Sequence, residues 1–196
     1  MGLVFLKSSA AGGSFLIQRE RWPYIFVFLG LFLTAFGSAY YHWNPTNATL
    51  LWDRLPMTIA FMGIIAALIT ERIGVRVGLT ALAPLLLIGA ASAIQWYISE
   101  LRGHGDLRFY AAVQACAVVM LPLFLVLFPT RYTRGLDLAI VAAFYVLAKL
   151  FETFDVQIYA LGHVVSGHTL KHLAASLSGY WILYMLRLRR PLRKDA

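Results

Sequence analysis

The residues in this chain with the types and spacing for metal-assisted chemistry are Ser38 and His42, Asp53, and His168 and His172. Within each pair the two members stand four apart, so a helix stacks them on one face, one turn above the other. Three neutral imidazoles with one coordination position left open form a common catalytic zinc (Zn2+) shell, and His42, His168 and His172 are the expected ligands. The last pair reads His168-Thr169-Leu170-Lys171-His172, without the glutamate that follows the first histidine in zinc proteases, so a carboxylate must come from elsewhere. Asp53 is the residue expected to hold and deprotonate the water, and Ser38 to hydrogen-bond that water or a developing oxyanion. Other readings of paired histidines exist. They can hydrogen-bond within a bundle, ligate a haem from two facing sides, or pass protons along groups strung across a membrane. Here the imidazoles crowd toward one level, which favours a single ion.

The elements that must position these residues are apolar helices. The chain is 60% apolar and only 13% charged, against about 45–50% and 25% in a soluble domain, which points to a bilayer as its solvent. Six stretches are long enough to cross most or all of a hydrocarbon core: 22–41, 54–70, 77–96, 109–128, 136–151 and 167–186. The expected fold is an all-α, polytopic transmembrane helical bundle, with a short lead over 1–21, the bundle over 22–187 and a basic tail over 188–196. Threading the six spans puts Lys7, Arg19, Arg21, Arg72, Arg76, Arg131, Arg134 and the basic run from Arg187 to Lys194 on the side of both termini. Only Arg54, Arg102 and Arg108 fall on the other. The Lys/Arg excess marks the cytoplasmic face, so both termini are expected there and the histidine cluster toward the opposite face. The net charge of +8 is thereby a matter of topology, and no nucleic-acid partner is expected, because the basic residues border apolar spans and form no single patch. Cys116 lies inside an apolar stretch and has no partner for an intrachain disulfide.

Two segments carry a family resemblance: FGSAYYHWNPTNATLLWDRLPM and SGHTLKHL. A serine four before a histidine, an aspartate shortly after it and HxxxH on the last helix make the chain resemble the alkaline ceramidases, within the membrane hydrolase superfamily that includes the adiponectin receptors. The likeness runs from Trp22 to about Arg187. It implies the same ligands, His42, His168 and His172, with Ser38 and Asp53 assisting the water. It also implies a metal-dependent hydrolase acting on a linear amide, with an N-acyl membrane lipid such as ceramide as substrate. The chain departs from the family in having six spans where seven are usual. It also lacks an acidic calcium-binding segment near the N-terminus, where residues 1–21 hold only Glu20, so calcium is not expected.

Two functions follow as expectations. One is a lipid amidase that releases a fatty acid and a long-chain amine (a sphingoid base, if the substrate is ceramide). The other is a non-catalytic membrane receptor or partner protein in which zinc clamps the first and last helices, with Asp53 or His163 closing the shell. Among the remaining polar residues, Lys149 and Glu152 are spaced to pair across one turn, and together with Asp155 form either a structural ion pair or a polar wall of the site. Lys171 lies on another helix face from the histidines, suited to snorkelling or to a lipid headgroup. His104 and His163 are loop histidines, solvated or spare ligands. Trp22, Tyr24, Trp43, Trp52, Trp96 and Tyr97 suit the headgroup layer; Tyr40 and Tyr41 suit packing, that layer or the oxyanion, and Pro84 and Pro122 suit kinks that open a cavity or the ordinary use of proline in membrane helices.

Overall fold

The computed structural model describes residues 1–8 and 13–192; residues 9–12 of the expected lead, and Arg193 and Lys194 of the expected tail, lie outside the described residues. The described chain is helical throughout, and its only strand-like contact is an isolated bridge between Tyr132 and Pro191. In order the helices are α1 (Gly2–Lys7), α2 (Arg21–Trp43), α3 (Asn47–Arg72), α4 (Val75–Leu101), α5 (Arg108–Leu127), α6 (Asp137–Thr153), α7 (Asp155–Ala160) and α8 (Gly167–Leu188). Among the described residues, four segments are long and apolar enough to cross a bilayer: Gln18–Trp43, Asn47–Arg72, Val75–Leu101 and Arg108–Leu127. The other two expected spans are present as helices of a different character. α6 has 17 residues, about 25 Å of rise against a core of about 30 Å, and α8 carries His168, Lys171 and His172 in its first turns. Large apolar side chains such as Phe36, Leu87, Val119 and Val126 face outward from the long helices, the pattern of a lipid-facing exterior.

α3 starts earlier than the apolar run at Arg54 suggests. Thr46 caps it, accepting from the Thr49 backbone N–H at 3.2 Å while the Thr49 hydroxyl accepts from Thr46 N–H at 3.0 Å. Asp53 therefore sits in the second turn of a formed helix and does not open the span, and its direction is fixed by that helix. α3 packs on α2, α4 and α5, while α6 packs on α8 and α5. The main core gathers side chains from α2, α3, α5, α6 and α8.

At the end of the bundle away from the histidines, charged residues that the sequence assigns to topology are buried in a polar clasp. Arg189, only 3% exposed, pairs with Glu71 at 2.6 Å, donates from Nε to the Ser14 carbonyl at 3.0 Å, and lies over the Tyr132 ring at 4.2 Å. Arg131 pairs with the fully buried Glu20 at 2.9 Å and donates to the carbonyls of Glu71 and Thr70, which end α3. Burial and the neighbouring Glu20 push the Tyr132 hydroxyl's pKa up, so it stays protonated, donates to Glu20 and accepts from the Leu16 N–H. Phe5, Leu6 and Phe15 join the core beside this clasp. The segment over 1–21, read from sequence as a lead outside the bundle, thus contributes buried side chains to it, because the clasp ties residues 14–20 to α3 and to the chain after α8.

Candidate metal centre

His42 is four residues beyond Ser38 near the end of α2, and His168 and His172 occupy the first two turns of α8. Their Nε2 atoms converge: His42 to His168 at 3.1 Å, His42 to His172 at 3.4 Å and His168 to His172 at 3.0 Å. The rings stand nearly perpendicular to one another. Hydrogen bonding cannot satisfy this triangle. Each Nε2 is either a protonated donor or a lone-pair acceptor, and with three atoms at least one edge joins two of the same kind. One cation facing all three lone pairs satisfies every edge. Tetrahedral coordination with metal–nitrogen bonds of about 2.0–2.1 Å places ligand nitrogens about 3.3 Å apart, close to the observed spacing. The triad is therefore close enough, and of the right chemistry, to hold a metal ion.

Local features bring α2, α3 and α8 to these positions. Pro56 has no N–H, so the carbonyl of Trp52 one turn earlier has no helical donor. Gly37, next to Ser38, packs directly on that freed carbonyl, and a Cβ there would stand 2.7 Å from the Trp52 carbonyl carbon and 3.1 Å from the Asp53 nitrogen. The absent side chain lets α2 reach α3 and brings the buried Ser38 close to Asp53. Gly167 does the same for α8: a Cβ there would meet the Asp155 Cα at 2.7 Å. This close approach allows Asp155 Oδ1 to accept from the His168 N–H at 2.6 Å, while Ser166 accepts from Thr169 N–H at 3.1 Å. The N–H groups of His168 and Thr169 at the start of α8 are thus satisfied, and a negative charge lies at its positive end.

Asp53 lies beside the triad without belonging to the group of converging ligand atoms. Ser38, expected at a water or an oxyanion, is buried close to Asp53. His163 has a positive φ of 54° and faces the Tyr159 ring at 5.3 Å, and His104 lines a groove between α4 and α5. Among the described residues the ligand set remains His42, His168 and His172. Tyr40 is exposed and Tyr41 lies against His42 at 5.4 Å. Lys149 pairs with Glu152 as its spacing suggests, and Glu152 also receives Lys171 at 3.2 Å. Periodicity places Lys171 on a different face from the histidines; it carries no signal that α6 presents an acid to that face.

Below the centre lies an apolar, partly open cavity of about 150 Å³, bounded by α2, α3, α5, α6 and α8. Its polar lining groups are mostly turned to the backbone: Thr34 bonds the Gly30 carbonyl at 2.8 Å and Ser178 the Val141 carbonyl at 3.0 Å. Thr34, Met57 and Ala175 line it, and they stand four residues before Ser38, four after Asp53 and three after His172. Centre and cavity therefore share the same faces of three helices, one turn apart. Pro84 and Pro122, the prolines expected to open a cavity, do not line it, and the residues that do line it read in the sequence as ordinary core. No family model, curated protein or solved structure matches the chain.

Proposed function

We propose that this protein is a zinc-dependent intramembrane lipid amide hydrolase, which releases a fatty acid and a long-chain amine from an N-acyl lipid such as ceramide, the substrate the sequence resemblance suggests. The observation that supports this most strongly is the position of the three-histidine centre and Asp53 one helical turn above an apolar cavity. A chain-shaped apolar group in that cavity would bring the first polar atoms of the lipid to the level of the histidines, the arrangement expected when a mostly apolar pocket carries a few placed polar groups.

Held by His42, His168 and His172, a zinc ion would supply Lewis acidity to the amide carbonyl and make water a better nucleophile at neutral pH. Asp53, close to Ser38, accepts a proton from the attacking water as its oxygen bonds to the acyl carbon. It then returns that proton to the amide nitrogen as the C–N bond breaks, so that one water is consumed and the products are a carboxylic acid and an amine. The cavity walls hold the acyl chain and exclude water from it. The six-span topology belongs to the same reading, with both termini cytoplasmic, the centre toward the non-cytoplasmic face, and α6 and α8 completing the count by tilt or local thinning. The alternative of a structural clamp needs a fourth protein ligand, and the positions of Asp53 beside Ser38 and of His163 against Tyr159 favour the open set.

The test is Asp53→Asn in detergent-purified protein supplied with N-acyl lipids, with released fatty acid followed by mass spectrometry. Zinc content should be retained and turnover should fall by about 10²–10⁴-fold. Loss of zinc together with loss of fold, or turnover equal to wild type, overturns the assignment.

A further inference from the structure

We infer that residues 154–165, between α6 and α8, lie in the non-cytoplasmic headgroup layer as an apolar apron beside the metal centre, so that substrate reaches the histidines from that leaflet. The lipid contact rests on the six-span topology, and the delivery of substrate on reading the site as an amide hydrolase. α7 contains no buried residue. In it and the turn that follows, Val156 is 76% exposed, Leu161 88% and Val164 86%, with Tyr159 and Val165 also open. The segment holds no lysine or arginine, and its one acid, Asp155, accepts from the His168 N–H at 2.6 Å. No atom stands within 4 Å of a Cβ built at Gly162, and the left-handed turn at His163 (φ 54°) leaves Leu161 and Val164 unpacked on either side of it. An apolar surface so bare of charge is rare against water and marks an interaction site.

Two observations outside the segment make the occupant a bilayer interface. α6 starts at the Arg134–Asp137 pair and has 17 residues, about 25 Å of rise against a core of about 30 Å, and its last turns carry the half-exposed Lys149–Glu152 pair. The chain therefore leaves α6 at the near edge of the headgroup layer, with no length to spare for open water. Across the centre, Trp43 follows the ligand His42 and is 89% exposed, and Trp52 on α3 is 56% exposed; exposed tryptophans at span ends mark the same layer. A segment lying in that plane buries its apolar side chains about 5–10 Å into the acyl boundary. The apron is tied to the centre, because Gly167 packs on the Phe151 carbonyl and on Asp155, and Asp155 holds the His168 N–H. A lipid in that leaflet has its first polar atoms level with the histidines and its chain toward the cavity, with no passage through water.

The experiment places a nitroxide at Leu161→Cys or Val164→Cys in full-length Cys116→Ser protein in phosphatidylcholine vesicles, and compares its relaxation by oxygen with that by a water-soluble nickel complex. Oxygen should dominate at both positions. Stronger relaxation by nickel puts the apron in water, and weak relaxation by both puts it against protein, such as a second copy; either result overturns the inference. In parallel, the double variant Leu161→Asp with Val164→Asp, zinc retained, should lower kcat/KM about tenfold for an N-acyl lipid in vesicles and leave it unchanged for a water-soluble short-chain amide. Equal effects on the two substrates overturn the delivery role. Immersed labels in protein that hydrolyses neither substrate uphold the lipid contact and count against the hydrolase reading alone. Hydrolysis with the labels in water does the reverse.

Discussion

Gly37→Ala should separate the chemistry from the metal. The added Cβ would sit 2.7 Å from the Trp52 carbonyl carbon, where ordinary contact begins near 3.4 Å, so α2 and α3 must part locally by about 0.7 Å or more. The obstructing atoms are backbone and cannot rotate away. The opening falls between Ser38 on α2 and Asp53 on α3, and it moves the backbone that carries the carboxylate. Overpacking of this kind costs about 1–3 kcal/mol of stability, and a displacement near 1 Å at a reacting group costs about 10²-fold in rate. The metal ligands lie on α2 and α8, so the triad does not depend on the α2–α3 contact. The assay is kcat/KM for N-acyl lipid hydrolysis beside zinc stoichiometry on the same preparation. The expected result is about 10²-fold lower kcat/KM, equivalent to roughly 2.7 kcal/mol, with zinc retained. Near wild-type kcat/KM, or zinc lost while helicity persists, would refute the claim that Gly37 positions Asp53 through the Trp52 carbonyl.

Arg189→Met should leave Glu71 buried without its cation and cost about 3–5 kcal/mol in detergent unfolding followed by circular dichroism. The double variant with Glu71→Met should recover much of that loss, and a single variant as stable as wild type would contradict the clasp. Ala175→Phe, which fills the cavity one turn below His172, should raise KM for long-chain acyl substrates by about tenfold or more. Short-chain turnover and zinc content should stay nearly unchanged, and equal effects on long and short chains would argue that the acyl group binds elsewhere.

The histidine centre is legible in the sequence because its information is periodic. Residues four apart on helices of known direction fix which imidazoles share a level, and His42, His168 and His172 indeed converge. Helix content is legible for the same reason, since long apolar runs leave few alternatives. What escapes is the identity of neighbours. Lys171 is correctly placed off the histidine face, yet only the packing of α6 on α8 brings Glu152 to it. Arg131 and Arg189 read as topology markers because a hydropathy profile cannot distinguish an arginine at a headgroup from one paired with Glu20 or Glu71 in a buried clasp. Pro56 and Gly37 are both visible in the sequence. Their joint meaning, a freed carbonyl met by a helix without a Cβ, requires knowing that α2 and α3 touch at that point. The start of α3 had a local signal in the Thr46 and Thr49 pair, outweighed by the apolar run that begins at Arg54.

Metal content by mass spectrometry on detergent-purified wild type, His42→Ala and His168→Ala tests the central claim most directly. The account predicts about one zinc per chain in wild type, and loss of that zinc in both variants with helical circular dichroism unchanged. A wild type that takes up no metal even after zinc addition would contradict it, leaving the three imidazoles as a polar contact between α2 and α8.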